Sequence, residues 1–197
     1  MDQPLINILT RTSSRPIFFA KCHESIMSQT YQNIRHIVSV DNEDTYKYVK
    51  SYNYPETNIV KINRQFRHHR NHMPYNLYCN HLIHRVIDGW VMFLDDDDMF
   101  VNNKVLESVV KYINSVPKIN LWVWKTNLNK TRVVPSTSFG KKITIGDISS
   151  TSVLFHNRVS RLGWWDDRQA SDGRYFVKLY RHPNTVVGWI PKIFTQI

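Results

Sequence analysis

Short apolar runs alternate with amphipathic stretches along the chain. Leu5 to Leu9 (Leu-Ile-Asn-Ile-Leu) has the length and apolarity of a buried strand and gives way to the polar loop Thr10 to Ser14. Pro16 suits a helix's first turn, and Phe18, Cys22 and Ile26 follow at helical spacing as far as Gln29. Ile34 to Val40 reads as a second strand closed by Asp41 to Asp44, Thr45 to Tyr54 as a short helix, and Ile59 to Ile62 as a third strand. Pro74 opens a helix reaching about Ile87. Trp90 to Leu94 has no polar position, as expected of a central strand covered on both faces, and it stops at four consecutive aspartates. Beyond them, Lys104 to Ser115 predicts a helix, Leu121 to Lys125 and Val153 to His156 strands, Phe176 to Arg181 a helix end, and Thr185 to Phe194 an extended segment. This alternation predicts an α/β fold with a mixed, mostly parallel sheet and helices on both faces. Ligands of such sheets sit beyond the carboxyl ends of the strands. The polar clusters at Thr10 to Ser14, Asp41 to Asp44 and Asp95 to Asp98 all follow strands, so the architecture gathers them at one rim.

Composition narrows the class. At 197 residues, with 42% hydrophobic and 13% aromatic, the chain has a full core and is not disordered. We expect one domain over 1–197, in two halves, 1–100 and 101–197. Two cysteines, Cys22 and Cys79, are too few for a disulfide scaffold or a thiolate zinc site and suit a reducing compartment. No apolar run approaches the roughly 18 residues of a membrane span. Met1-Asp2-Gln3-Pro4 lacks the basic and apolar regions of a signal peptide, so a cytoplasmic setting is expected and the sequon Asn129-Lys130-Thr131 would be idle. The net charge of +10 asks for an anionic partner: nucleic acid, an anionic membrane surface or a nucleotide diphosphate. A plain solvated basic surface is the alternative.

The four aspartates are the strongest chemical signal. Adjacent carboxylates repel, so they need a cation or a solvated turn. Alternate residues at a strand end project to one side, so Asp95 and Asp97 can converge on one hard cation, Mg²⁺ or Mn²⁺, with a substrate diphosphate completing the shell. The competing reading is an acidic turn ahead of Lys104. An EF-hand is excluded because position six of that loop is not glycine. Phosphate-binding glycine loops, the dinucleotide fingerprint and the Gly-x-Ser-x-Gly elbow are all absent. His68 with His72, or His81 with His84, share helical spacing, but Pro74 interrupts the segment and no third ligand is set by spacing. Arg64, Arg67, His68, His69 and Arg70 read either as an anion-binding segment or as a solvated basic loop.

Five segments, in order, resemble the GT-A-fold glycosyltransferases, in particular the family 2-like inverting enzymes. Ile8 to Pro16 is similar to that family's first strand and Pro-Thr-Tyr-Asn-Arg-Pro loop, and Ser25-Ile26-Met27-Ser28-Gln29-Thr30-Tyr31 to its Ser-x-x-x-Gln-Thr-Tyr helix end. Ile37 to Asn42 resembles its second strand, Phe93-Leu94-Asp95-Asp96-Asp97-Asp98 its Phe-Leu-Asp-x-Asp-Asp signature, and Leu162 to Asp167 with Ser171 to Phe176 its late acidic block. Compact virus-encoded members of the class are a possible nearer match. The chain departs from the pattern at Ser13-Ser14, which stands for Tyr-Asn, and at Tyr78-Cys79-Asn80, which stands for Ala-Arg-Asn, so that Arg67 or Arg70 would have to replace a phosphate contact. Position 171 is Ser where the family often has Glu.

The resemblance implies a GT-A fold and metal-dependent, inverting transfer of a sugar from a nucleoside diphosphate sugar, a UDP-sugar, to a glycan or other hydroxyl acceptor. It implies Asp172 as general base, Thr10, Arg11, Thr12, Asp41, Asn80, Asp95 and Asp96 around the nucleotide sugar, and Asp95 with Asp97 on Mn²⁺ or Mg²⁺. Asp96 with Asp98 is the alternative register. Trp164 and Trp165 offer faces for an acceptor sugar, against ordinary core packing. The rival class is a basic nucleic-acid-binding protein without catalysis. Its basic residues are spread along the chain and no nucleic-acid-binding motif is present, so no nucleic-acid partner is expected.

Overall fold

The computed structural model describes residues 3–128 and 131–197, so the sequon at Asn129 lies outside the described residues. Among these, nine strands form one sheet flanked by helices. The chain begins β1 (Ile6–Thr12), α1 (Pro16–Met27), β2 (Ile34–Val40), α2 (Glu43–Lys50) and β3 (Ile59–Lys61). It continues through α3 (Tyr78–His84), β4 (Trp90–Phe93), β5 (Met99–Phe100), α4 (Val105–Ser115), β6 (Leu121–Leu128) and β7 (Arg132–Val134). It ends with β8 (Val153–His156), α5 (Asn157–Ser160), α6 (Ser171–Arg181) and β9 (Val187–Gln196). The strand order is β3-β2-β1-β4-β8-β6-β9-β5, with β7 on β6. The β3-β2-β1-β4 block is parallel and β8 runs against both of its neighbours.

Alternation along the central strands divides the core in two. Leu9, Val91 and Phe93 face α3 and α6, where they meet Leu82, Tyr175 and Phe176. Ile6, Ile8, Met92 and Leu94 face α1 and α4, where they meet Cys22, Ile26 and Val109. Gly89 sets the register of β4 beside β1: its φ of +87° is left-handed, and a Cβ there would lie 2.5 Å from the Leu5 carbonyl oxygen. Asn42 caps α2 by accepting from the Thr45 amide at 2.8 Å. Gln29, buried at the end of α1, donates to the Asn102 carbonyl (2.8 Å) and accepts from the Leu106 amide (3.0 Å), so it seats α4 against α1.

The structure departs from the sequence reading in detail. β1 runs on to Thr12, so Thr10, Arg11 and Thr12 are strand residues rather than loop. The predicted helix after Pro74 is a 3₁₀ turn over Pro74–Leu77 followed by the short α3. β5 and β7 carry no local signal of their own: each is two or three residues long and exists by pairing with β9 or β6.

Candidate active site

The pleat sorts the side chains at the rim. Arg11 follows Leu9 onto the α3/α6 face of β1, whereas Thr10 and Thr12 follow Ile8 onto the α1 face. The aspartates divide likewise. Asp95, two residues after Phe93, meets Arg11, whose Nε donates to Oδ1 at 2.9 Å while a second nitrogen grips Oδ2. Asp96, two residues after Leu94, turns inward, fully buried, against Arg15. Asp98 also turns inward, and its Oδ2 accepts the Asp95 amide at 3.0 Å while its own amide donates to the Asp95 carbonyl at 2.9 Å. Burial raises the proton affinity of both inward carboxyls: Asp96 is pushed up to about 6, and Asp98 is held well above the ordinary carboxylate value by burial, with the charges of Asp95 and Asp97 adding to it. The acidic-turn reading is therefore correct for Asp98, which closes the turn.

Asp95 and Asp97 line a cavity of about 530 Å³, a volume suited to a small-molecule ligand. Asp41, Thr12, Ser13, Arg11, Arg15 and Arg64 share its wall, as do Gln65, Tyr75 and Tyr78. Each aspartate in it faces an arginine: Arg15 donates to Asp97 at 2.9 Å and Arg64 lies 3.8 Å from Asp41. The Tyr78 hydroxyl donates to Asp41 at 3.3 Å and accepts the Gln65 amide at 2.9 Å. Arg11 is held further by Asn76 (3.0 Å) and lies over the rings of Tyr75 and Trp165. Burial opposes its charge, yet the neighbouring Asp95 carboxylate holds its proton affinity well above the ordinary guanidinium value.

Asp172 occupies the first turn of α6. Burial raises its proton affinity; the backbone amide of Gly173 and the charge of Arg11 act against that rise, while Asp95 adds to it. The other carboxylates of its block are engaged. Arg174 grips Asp166 at 2.6 and 2.7 Å, and these bonds draw its carboxyl down to about 2. Asp167 faces His72 at 3.4 Å.

Several expected site residues lie elsewhere. Thr10 is buried beneath the rim, donating to the Leu94 carbonyl at 2.7 Å. Asp96, sealed by Arg15, does not line the cavity. Asn80 accepts the Trp165 amide at 3.0 Å and donates to its carbonyl at 2.9 Å, so it tethers the loop ahead of α6. Trp165 is a core residue, stacked on Tyr175 with ring centroids 5.4 Å apart, and presents no face to an acceptor. Trp164 is exposed and packs edge-on to His84, away from the cavity wall. Arg67 and Arg70 are also off the wall; the arginines that line it are Arg11, Arg15 and Arg64. Sequence reasoning missed Tyr75, Tyr78 and Gln65, although the Tyr75/Tyr78 spacing after Pro74 is a helical-face signal.

The donor chemistry at Asp95 and Asp97 fits a hard cation only in part. Both supply carboxylate oxygens, but both are engaged by guanidinium groups. Among the described residues no group of three or more His, Cys, Asp or Glu side chains forms a metal site. A cation held there would need oxygens from a ligand.

The glycosyl transferase family 2 model matches residues 15–160. The chain belongs to that family. Its fold is GT-A, as the solved structures agree. S. aureus TarS 1-349 superposes with a TM-score of 0.75 at 15% identity, over 98% of this chain and 60% of that one. The same protein in complex with UDP-GlcNAc gives 0.74, also at 15% identity, over 98% of this chain and 58% of that one. The mannosyltransferase PcManGT from Pyrobaculum calidifontis, in complex with GDP-Man and Mn²⁺, gives 0.73 at 13% identity, over 100% and 57%. This chain thus spans about 60% of the length of the first of these structures. No curated protein matches it in sequence. Among the described residues no helix is long and apolar enough to cross a membrane.

Proposed function

We propose that this family 2 chain transfers a sugar from a nucleoside diphosphate sugar, a UDP-sugar, to an acceptor hydroxyl with inversion at the anomeric carbon. The observation that carries the reading is the convergence of Asp41, Asp95 and Asp97 with three arginines on one cavity at the carboxyl ends of β1, β2 and β4. Donor and acceptor sites share one domain, residues 1–100 supplying the donor side and 101–197 the acceptor side. The setting is cytoplasmic, in keeping with two buried, unpaired cysteines.

Each residue then has a task. Asp41 takes the base or ribose, braced by Tyr78 and Arg64. Asp95, oriented by the Arg11 fork, takes the ribose and assists Asp97. Mn²⁺ or Mg²⁺, held by Asp97 with Asp95 and the diphosphate, would act as a Lewis acid toward the leaving group. Arg11, Arg15 and Arg64 place positive charge where the departing diphosphate gathers negative charge. Arg11 has a further merit: its charge reaches Cys79, which stands where the resembled pattern has arginine, so β1 supplies the guanidinium that α3 lacks. Asp172 receives the acceptor's proton. Its raised proton affinity makes it a better base than Asp166, whose carboxyl is drawn down to about 2.

Thermal-shift measurements across nucleotide sugars, with and without Mn²⁺, test the proposal. A ligand of the native state raises its apparent stability by mass action, so the donor should stand out and its shift should grow with the cation. A flat response to every nucleotide sugar and diphosphate, with and without Mn²⁺, rejects it.

A further inference from the structure

The segment between β3 and the Pro74 turn is absorbed only at one end by the donor cavity. From Thr57 to Ile87 the sequence contains no acidic residue, while five Lys or Arg and five of the nine histidines fall there. Residues 63–71 are irregular and exposed throughout. Their two ends are anchored at functionally different places. At the near end Arg64 and Gln65 line the cavity. At the far end His72 bridges to Arg168, the Met73 amide donates to the Asp167 carbonyl at 2.6 Å, and Asn76 donates to the Arg168 carbonyl at 2.9 Å. That anchoring segment leads directly into α6 and Asp172.

The exposed cations between the anchors are not neutralised. Among the described residues neither Arg67 nor Arg70 has a carboxylate partner, and Arg67 donates to the carbonyls of His69 and Arg70, holding the loop in shape. His68 and His69 stack on His72 at 5.1 and 5.3 Å between centroids. The His72 Nδ1 accepts the His68 amide at 3.2 Å, so its Nε2 proton points to Asp167. Phe66 stands 67% exposed among these cations, a flat apolar face of the kind a sugar ring covers.

We infer that this segment is the acceptor track, and that the acceptor is a glycan carrying repeated anionic groups, phosphate or carboxylate. The inference rests on the transferase reading. Its physical content is two cations without a carboxylate partner among the described residues, Arg67 and Arg70, on a segment that runs from the donor cavity to the Asp167–Arg168 loop ahead of α6. An acceptor laid along it would reach the cavity while Arg67 and Arg70 hold its charges. A neutral glycan would leave those cations uncompensated.

Binding is measured for the full chain by calorimetry at two salt concentrations. The probes are a phosphorylated oligomannose, an oligogalacturonate, a neutral maltooligosaccharide, a single-stranded oligonucleotide and, separately, UDP. We expect one of the two anionic glycans to bind tighter than the neutral one, to weaken with salt, and to lose about tenfold in Arg67→Gln/Arg70→Gln with UDP binding unchanged. The preferred arm tells phosphate from carboxylate. Arg70→Gln alone, which removes no side-chain bond within the loop, should show part of the loss even if the double variant distorts the segment. Equal binding of neutral and anionic glycans, no binding of either, a preference for the oligonucleotide, or a joint loss of UDP binding would each overturn the inference. Failure of the wild-type chain to bind UDP while an anionic glycan still binds would instead reject the transferase reading.

Discussion

The two faces of β1 near its carboxyl end carry polar clusters of opposite kinds. On the α1 face the chain of hydrogen bonds from Thr10 through His36 and Tyr54 to His23 is neutral and every proton in it has a place. Thr10 spends its only proton on the Leu94 carbonyl, so the His36 Nε2–H must donate to Thr10 (2.8 Å). Neutral His36 then offers a bare Nδ1 to the Tyr54 hydroxyl, and the His23 Nδ1–H donates to the Tyr54 oxygen at 2.6 Å. On the other face Arg11 and Asp95 are ionic, with Asp172 close behind the cavity wall in α6, and on the cavity itself Asp97 faces Arg15 and Asp41 faces Arg64. The first cluster leaves nothing for a ligand to complete. The second consists of charges whose partners a diphosphate, a cation or an acceptor hydroxyl would exchange. Burial alone does not mark a functional site; what marks this one is replaceable partners.

The largest effect that sharpens the contrast belongs to Asp172. Asp172→Asn keeps the shape and removes the proton acceptor, so transfer should fall by about 10²–10⁴-fold while UDP binding stays near wild type. The pH–rate profile should lose its acidic limb. Single-turnover transfer and nucleotide titration on the same preparation decide the point; near wild-type transfer would return Asp172 to a purely structural place in the first turn of α6.

Next comes Arg11, the ionic counterpart of the neutral chain. Arg11→Gln leaves Asp95 partly buried beside Asp172 without its fork. Breaking such a pair costs about 3 kcal/mol of stability, at the lower end of the range for buried pairs because both side chains keep some exposure. Adding Asp95→Asn should recover part of the loss, as a double-mutant cycle by urea denaturation would show. Simple additivity of the two changes would mean that Arg11 acts through Trp165 and Tyr75 packing instead.

These contrasts also explain what could be read in advance. The strands that form the rim were legible because Ile34 to Val40 and Trp90 to Leu94 are apolar over their full length, and the aspartates follow at once. That Asp95 and Asp97 reach the cavity while Asp96 points the other way follows from strand alternation. The sealing of Asp96 by Arg15 does not, because Arg15 arrives from another element. Trp165 and Asn80 were misplaced for a related reason: a tryptophan is equally fit for a sugar face or a core, and only the packing of α6 against β4 decides. Arg11 was credited with donor binding, but its place between Asp95 and Asp172 comes from β1 running past the predicted loop boundary.

The neutral cluster predicts the reverse pattern of effects. Tyr54→Phe removes the hydroxyl that joins two histidines and leaves a buried ring nitrogen unpaired, at a cost of about 1–3 kcal/mol. UDP binding per folded molecule should be unchanged. Denaturation and nucleotide titration of the variant check both statements, and a loss of UDP affinity would show that the two faces are coupled.

The smallest effect is a pH dependence that belongs to His36. Burial, with the nearby His23, depresses its proton affinity from the ordinary value of 6.5 to about 3. Below pH 6.5 the unfolded chain takes up a proton there that the folded chain refuses until about pH 3, so stability must fall as the pH drops through that window. Between pH 7.5 and pH 5.5 the loss amounts to about 1.4 kcal/mol from this residue, one unit of pH below the unfolded value being worth about that much. Asp96 works in the opposite sense. Its carboxyl, raised to about 6, binds a proton more readily in the folded chain, so its contribution weakens as pH rises from 3.8 to 6. The raw stability profile is therefore a sum of opposed slopes, and only a difference isolates one of them. His36→Gln cannot titrate. The stability of the wild type minus that of the variant should decline by about 1.4 kcal/mol on going from pH 7.5 to 5.5. A difference that stays level across that range would mean that His36 is protonated in the fold. The hydrogen-bond directions from His36 through Tyr54 to His23 would then have to reverse, because a protonated His36 has no bare nitrogen with which to accept from Tyr54.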